Sequence, residues 1–275
     1  MKPTGPSWVA ALWLLTGLAV ALAFVYPLTG KAASVPVLLV LVPFALVHGV
    51  LRYGAKLLLV FLVVTLVVSN VSENLSIETG FPFGHYYYPE GHKLFNVPIT
   101  IGPFYFALGY LSWHVGRALL DAANRRSDVV ALPVVAAALM ALWDLGTDSI
   151  ASTVHHDWIW EQGGGVFGVP YTNYLGWWLT TYVFFQVFAL VLARSQAPHR
   201  PESLGAALQP VLLYGALGLT SVPYFLTASG APVTDAAGVV WSGHDINETM
   251  MVVNLFGVVT VAFVALVKVT RNGRA

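Results

Sequence analysis

The sequence predicts an all-α membrane bundle of about eight transmembrane helices, a single domain over residues 1–275 with both termini on the cytoplasmic side. Three observations carry this. Hydrophobic residues make up 57% of the chain and charged residues 9%, against about 25% charged in soluble domains, too few to cover a fold of this size in water. Apolar runs of roughly 20 residues, the length that crosses the hydrocarbon layer, recur along the chain. Lys and Arg fall on one side of the resulting topology, as the positive-inside rule requires. The formal net charge of zero gives no electrostatic reason to expect a nucleic-acid partner. The absence of Cys excludes disulfides, thiol catalysis, iron–sulfur clusters and Cys-ligated zinc.

The first span, 8–26, carries "ALA" near its end, but a short n-region and a long apolar run fit a retained helix better than a signal peptide. Spans two and three, 35–51 and 56–75, are aliphatic until the third breaks into "NVSENLSIETGFPFGHYYY" from Asn70. Spans four, five and six follow at 99–120, 129–148 and 175–194, the fifth closing on "LWDLGTDS" and the sixth opening on "NYLGWW". Spans seven and eight are 204–228 and 247–268, the eighth led by "GHDINETMMVVN". "EQGGGVFGVP" and "TGFPFG" read as turns or re-entrant loops. With the N-terminus inside, Lys2, Arg52, Lys56, Arg117, Arg125, Arg126, Arg194, Arg200, Lys268, Arg271 and Arg274 are cytoplasmic, and only Lys31 and Lys93 lie outside. The long loops 76–98, 149–174 and 229–246 then face outward, and most acidic side chains converge on the outer third of the membrane.

Asp144 and Asp148 are four apart, hence on one helix face and about 6 Å apart along its axis. A carboxylate at the membrane centre costs roughly 2.5–3.5 kcal/mol even on the mild insertion scale. Desolvation and a like-charged neighbour favour keeping one of the two protonated, the condition of a general acid. The alternative is a pair of interfacial caps or salt-bridged residues. Glu73 borders a polar stripe of Thr65, Ser69, Ser72 and Ser76 at helical spacing, so this face of span three looks into the bundle. Glu73 and Glu78 are further catalytic candidates; otherwise the stripe only helps helices associate. The aromatics Trp143, Trp158, Trp160, Trp177, Trp178, Tyr86, Tyr87, Tyr88, Tyr171 and Tyr174 gather at the outer boundary. Much of this is the ordinary interfacial belt, but Trp143, Tyr86, Tyr88, Tyr174 and Trp177 are candidates for lining a pocket that stabilises a cation, at about 0.5–2 kcal/mol per aromatic face. Asn247 and Asn254, seven apart on one face of span eight near Glu248, either hold a water or substrate there or bond a neighbouring helix. The eight histidines, His48, His85, His92, His114, His155, His156, His199 and His244, form none of the repeated clusters an iron oxygenase needs. No metal site is expected.

In "ENLSIETGFPFGHYYY", followed by "PFYFALGYLSWHVGR" and "WDLGTDSIASTVHHDWIW…GGGVFGVPYTNYLGWW", the sequence resembles the integral-membrane carotenoid biosynthesis proteins that include CruF-type carotenoid 1',2'-hydratases and bisanhydrobacterioruberin hydratases. The resemblance covers about residues 55–268. It implies a cofactor-independent hydro-lyase of the cytoplasmic (inner) membrane that adds water across the terminal C-1',2' double bond of an acyclic carotenoid end. Its expected partners are the lipid-soluble carotenoid, membrane lipid and other carotenoid-pathway enzymes. That chemistry needs an acid, a cation-stabilising aromatic box and access for one water, which are the ingredients read from the residues.

A proton-coupled transporter of a small or lipophilic substrate is the alternative, with the carboxylates as relay. Transporters commonly show internal symmetry between halves, which this sequence lacks. A retinal-binding protein would need a lysine deep in a late span, and Lys268 sits at the inner end. A scaffold for pigment enzymes would not need single carboxylates.

Overall fold

A computed structural model describes residues 6–29, 34–122, 126–195 and 203–272. Lys2, Lys31, Arg125, His199, Arg200 and Arg274 of the topology and histidine readings lie outside the described residues. The chain runs as helices α1 (Pro6–Leu28), α2 (Ser34–Tyr53), α3 (Ala55–Thr79), α4 (Ile101–Leu120), α5 (Asp128–Leu145), α6 (Tyr171–Arg194), α7 (Leu204–Leu219), α8 (Ser221–Thr227), α9 (Gly243–Val253) and α10 (Thr260–Asn272). Short strands lie between them: β1 (Tyr86–Tyr87), β2 (Lys93–Leu94), β3 (Val97–Pro98), β4 (Ile159–Trp160), β5 (Pro232–Thr234) and β6 (Val240–Ser242). Among the described residues, seven helical segments are long and apolar enough to cross a membrane. The remaining predicted span, the fourth (α4), is less apolar because its middle is shielded from lipid: every residue from Tyr105 to Gly116 is buried. The protein is an all-α polytopic membrane bundle.

The helices are amphipathic in the sense a lipid solvent demands. On α3, Leu59, Val63, Val67, Val71 and Leu75 are exposed at every fourth position. Thr65, Ser69, Glu73 and Ser76 are buried on the other side. The inward stripe therefore contains Glu73 itself. Ser72, assigned to it from spacing, is only half-buried, because 3.6 residues per turn rotates position 72 off the line through 65, 69, 73 and 76.

Three predicted spans are broken. The seventh divides at Thr220, where α7 ends and the short α8 begins. The eighth starts earlier than expected, at Gly243, and a wider π-helical stretch, Asn254–Val259, separates α9 from α10. The fifth continues past Leu145 through a turn into another π-helical segment, Ile150–Val154.

The carboxyl-bearing ends of α3 and α5 and the starts of α4, α6 and α9 form one loop end of the bundle. Arg52, Lys56, Arg117, Arg126, Arg194, Lys268 and Arg271 occupy the opposite helix ends, where Lys268 pairs with Asp121 at 2.7 Å. At the loop end, Gly80 closes α3 in the left-handed conformation with φ 80°. The chain then turns back so that the Ser76 hydroxyl donates to the Gly84 carbonyl at 2.8 Å and accepts from the Phe83 amide at 3.0 Å. Two loops are joined by antiparallel pairing of β1 with β4, Tyr86 opposite Trp160. Thr172 ties α6 to the first loop through the Phe83 carbonyl at 2.9 Å. Gly176 lets the helix come that close, since a Cβ there would lie 2.7 Å from the Pro82 carbonyl oxygen.

Candidate active site

Beneath the paired loops lies a cavity of about 820 Å³. Its walls come from α3, α4, α5, α6 and both loops, and three buried carboxyl groups face one another across it: Glu73, Asp144 and Asp148. Among the described residues lining the cavity there is no Lys or Arg. The salt-bridge alternative for the Asp pair therefore has no partner there.

Glu73 is held by three phenols. Tyr105 donates to Oε1 at 2.7 Å and Tyr88 to Oε2 at 2.8 Å, and Tyr86 also donates to Oε2. Burial first, and then the Glu73 charge, push the Tyr86 and Tyr88 phenols well above their usual range, so both remain protonated donors. Glu73 acts as an acceptor on both oxygens.

The aspartates are bridged by one amide. Asn173 Nδ2 donates to Asp144 Oδ2 at 2.7 Å and to Asp148 Oδ2 at 2.5 Å, one proton to each. Asp148 Oδ1 also accepts from Trp158 Nε1 at 3.1 Å and, more weakly, from Trp160 Nε1 at 3.4 Å. The two carboxyls are thus unequal: Asp148 is surrounded by donors, whereas among the described residues Asp144 has Asn173 alone.

Aromatic faces complete the enclosure. Tyr105 stacks on Trp177 with ring centroids 4.5 Å apart, Phe104 lies 5.1 Å from Trp143, and Tyr86 lies 4.8 Å from Trp160. Pro89, Glu90, Gly91, His155, His156 and Asp157 form an exposed rim at the loop end.

The structure brings together Glu73, Asp144, Asp148, Trp143, Tyr86, Tyr88 and Trp177 from the sequence-derived set. Four others stand elsewhere. Glu78 is exposed and accepts from Asn96 Nδ2 at 2.7 Å, because two residues past the buried Ser76 it is turned about 200° away from the buried face. Tyr174 is half-buried beside Ser149 and does not line the cavity. Asn247 is turned back on its own helix, donating to the Gly243 carbonyl at 2.8 Å. Asn254 does bond a neighbouring helix: its Nδ2 donates to the Gly146 carbonyl at 2.6 Å, where α5 has ended and that carbonyl lacks a helical donor. Sequence reasoning missed Asn173 and Tyr105. Asn173 sits in the first turn of α6, which begins at Tyr171, four residues before the expected start at 175. Tyr105 is hidden in a run of apolar residues. The three potential metal ligands that come close among the described residues, His244, Asp245 and Glu248, are exposed and do not line the cavity.

Comparison with known proteins gives this constellation a family. A bisanhydrobacterioruberin hydratase from Haloarcula japonica is 29% identical over 192 residues, 65% of this chain and 62% of that protein. The chain thus spans less than two thirds of the length of that curated relative. No solved structure matches. A family model described as carotenoid biosynthesis protein matches residues 10–240, well over half of the sequence and including all three cavity carboxyls, and the chain belongs to that family.

Proposed function

We propose that the protein is a carotenoid hydratase that adds water across the terminal C-1',2' double bond of an acyclic carotenoid end, giving a tertiary alcohol. The observation that carries this is the unequal, Asn173-bridged aspartate pair facing the Glu73–tyrosine cluster inside one aromatic cavity. The family and the hydratase relative support the reaction class.

In this reading Asp144, the carboxyl with the fewest donors, carries the proton and delivers it to C-2', the less substituted carbon. The alkene π pair forms the new C–H bond and leaves a tertiary cation at C-1'. The faces of Trp143, Trp177 and Tyr105 and the Glu73 charge stabilise that cation. A water admitted past the rim attacks C-1', and its surplus proton passes to Asp148, ionised and held ready by its donors. Transfer across the Asn173-bridged pair restores Asp144. Alkene and water become alcohol with no cofactor consumed. Asn173 and the tyrosines position the reacting groups.

The same reading places the protein in the cytoplasmic membrane with both termini inside and the loop end outward, in keeping with the basic residues at the opposite end. Transport is the weaker reading. A second polar group, His48 Nδ1 at 2.6 Å from the Tyr110 hydroxyl with His114 beside it, lies toward the basic end. Phe61, Phe106, Phe184 and Phe185 pack together in the same part of the bundle, with ring centroids 4.5–6.2 Å apart. Expression in a lycopene-producing strain tests the proposal. A pigment heavier by one water is expected, and unchanged lycopene with the protein present in the membrane would overturn it.

A further inference from the structure

Beyond the carboxyl cavity the bundle contains a second, smaller space of about 130 Å³ between α2, α4, α7 and α8. The two adjoin: Leu38, Phe104, Trp143, Thr147 and Ala151 line both, as do His155 and Asp157 of the rim. Val37, Leu41, Ala107, Leu108 and Leu217 continue the smaller space inward as an apolar gallery. Several of its polar groups are tied down locally. The Ser221 hydroxyl donates to the Gly218 carbonyl at 2.8 Å, the Thr220 hydroxyl to the Leu217 carbonyl at 2.6 Å, and Asn254 Nδ2 to Gly146 and Met250. His155 and Asp157 stand at its exposed mouth, so away from that mouth the gallery offers a ligand mainly hydrocarbon contacts. An apolar cavity of about 150 Å³ accommodates benzene, so this one has room for roughly one isoprene unit. The carboxyl cavity, by contrast, holds all three buried carboxyls. A double bond that must meet both an acid and a water belongs in the carboxyl cavity. The chain behind it then has an apolar continuation in which to lie.

We infer that this gallery is a chain-binding subsite that takes the isoprenoid segment next to the reacting end and selects for substrates long, acyclic and apolar enough to fill it. This rests on the hydratase reading, and it adds a specificity determinant remote from the reacting atoms. Binding energy gained in the gallery orients the double bond on Asp144, so chains that reach the gallery react better than an alkene with the same end and no chain behind it.

The test compares 2-methyl-2-butene, which has the reacting end and no chain behind it, with squalene and lycopene as substrates for the full-length protein in lipid. Wild type, Leu217→Trp and Val37→Phe are assayed, since both side chains line the gallery and not the carboxyl cavity. For the wild type, kcat/KM should be higher for the two long chains than for 2-methyl-2-butene. Each variant should lower kcat/KM for squalene and lycopene by about tenfold or more, the scale of a changed apolar contact, and leave 2-methyl-2-butene unchanged, flattening the profile. Thermal unfolding confirms folding, and the smaller Val37→Phe change serves if Leu217→Trp does not fold. A folded variant that keeps the wild-type length profile, or loses all three substrates equally, would overturn the gallery assignment. A wild type that hydrates none of the three overturns the hydratase reading instead.

Discussion

Replacing each aspartate by asparagine separates the acid from its partner. Asp144→Asn keeps the side-chain volume, and its amide oxygen still accepts from Asn173 Nδ2, which lies 2.7 Å from Asp144 Oδ2. Only the transferable proton is lost. General acids contribute about 10²–10⁴-fold, or roughly 3–5 kcal/mol of barrier, so product should fall below detection while the unfolding temperature barely moves. Asp148→Asn is different. Asn173, Trp158 and Trp160 all donate to this carboxylate, and an asparagine there has one acceptor oxygen and turns an NH2 group toward at least one donor. Hydrogen bonds to a charged group are worth about 1.5–3 kcal/mol against about 1 for neutral pairs. The expected result is a loss of about 1–3 kcal/mol in stability together with weakened turnover. The assay is pigment analysis beside thermal unfolding in detergent. A folded, fully active Asp144→Asn protein would refute the acid assignment and move attention to Glu73. A greater loss of activity in Asp148→Asn than in Asp144→Asn would reverse the two roles.

Glu73→Gln should cost about 1–3 kcal/mol and lower turnover, because one amide oxygen cannot serve the three phenols that now donate to the carboxylate; unaltered stability in thermal unfolding would count against the cluster. Gly176→Ala should destabilise by about 1–3 kcal/mol through overpacking, since its Cβ would meet the Pro82 carbonyl oxygen and the Phe83 ring at 2.7 and 2.6 Å; wild-type protease resistance of the loop would contradict that contact. Reporter fusions after Arg126 should report cytoplasm and near Gly164 the outside, and an outside signal at Arg126 would overturn the proposed orientation.

Much of the site was legible because a membrane makes polarity conspicuous. Glu73, Asp144 and Asp148 stood out as carboxyls at the ends of aliphatic runs, and helix direction placed them at one depth. Depth does not fix rotation, which is why Glu78 and Asn247 were grouped with them although neither lines the cavity. For Asn254 the sequence leaves open a water or substrate contact or a bond to a neighbouring helix; the structure has it satisfying the Gly146 carbonyl where α5 breaks, and nothing in the periodicity announces that break. β1 and β4 are two residues each, too short for alternation to show, so the pairing that brings Trp158 and Trp160 over Asp148 was invisible. Asn173 carried a usable signal: an amide in the first turn of a helix that otherwise opens on Leu175, Trp177 and Trp178, at the level of two buried carboxyls.

The central claim is that the added oxygen comes from water by proton-first chemistry in this cavity. The most direct measurement supplies lycopene to the purified protein in heavy-oxygen water, without dioxygen and with a chelator present, and reads the mass of the alcohol. The account predicts turnover under these conditions and one labelled oxygen in each hydroxyl formed. A hydroxyl bearing unlabelled oxygen, or activity that returns only when iron and dioxygen are restored, would contradict it.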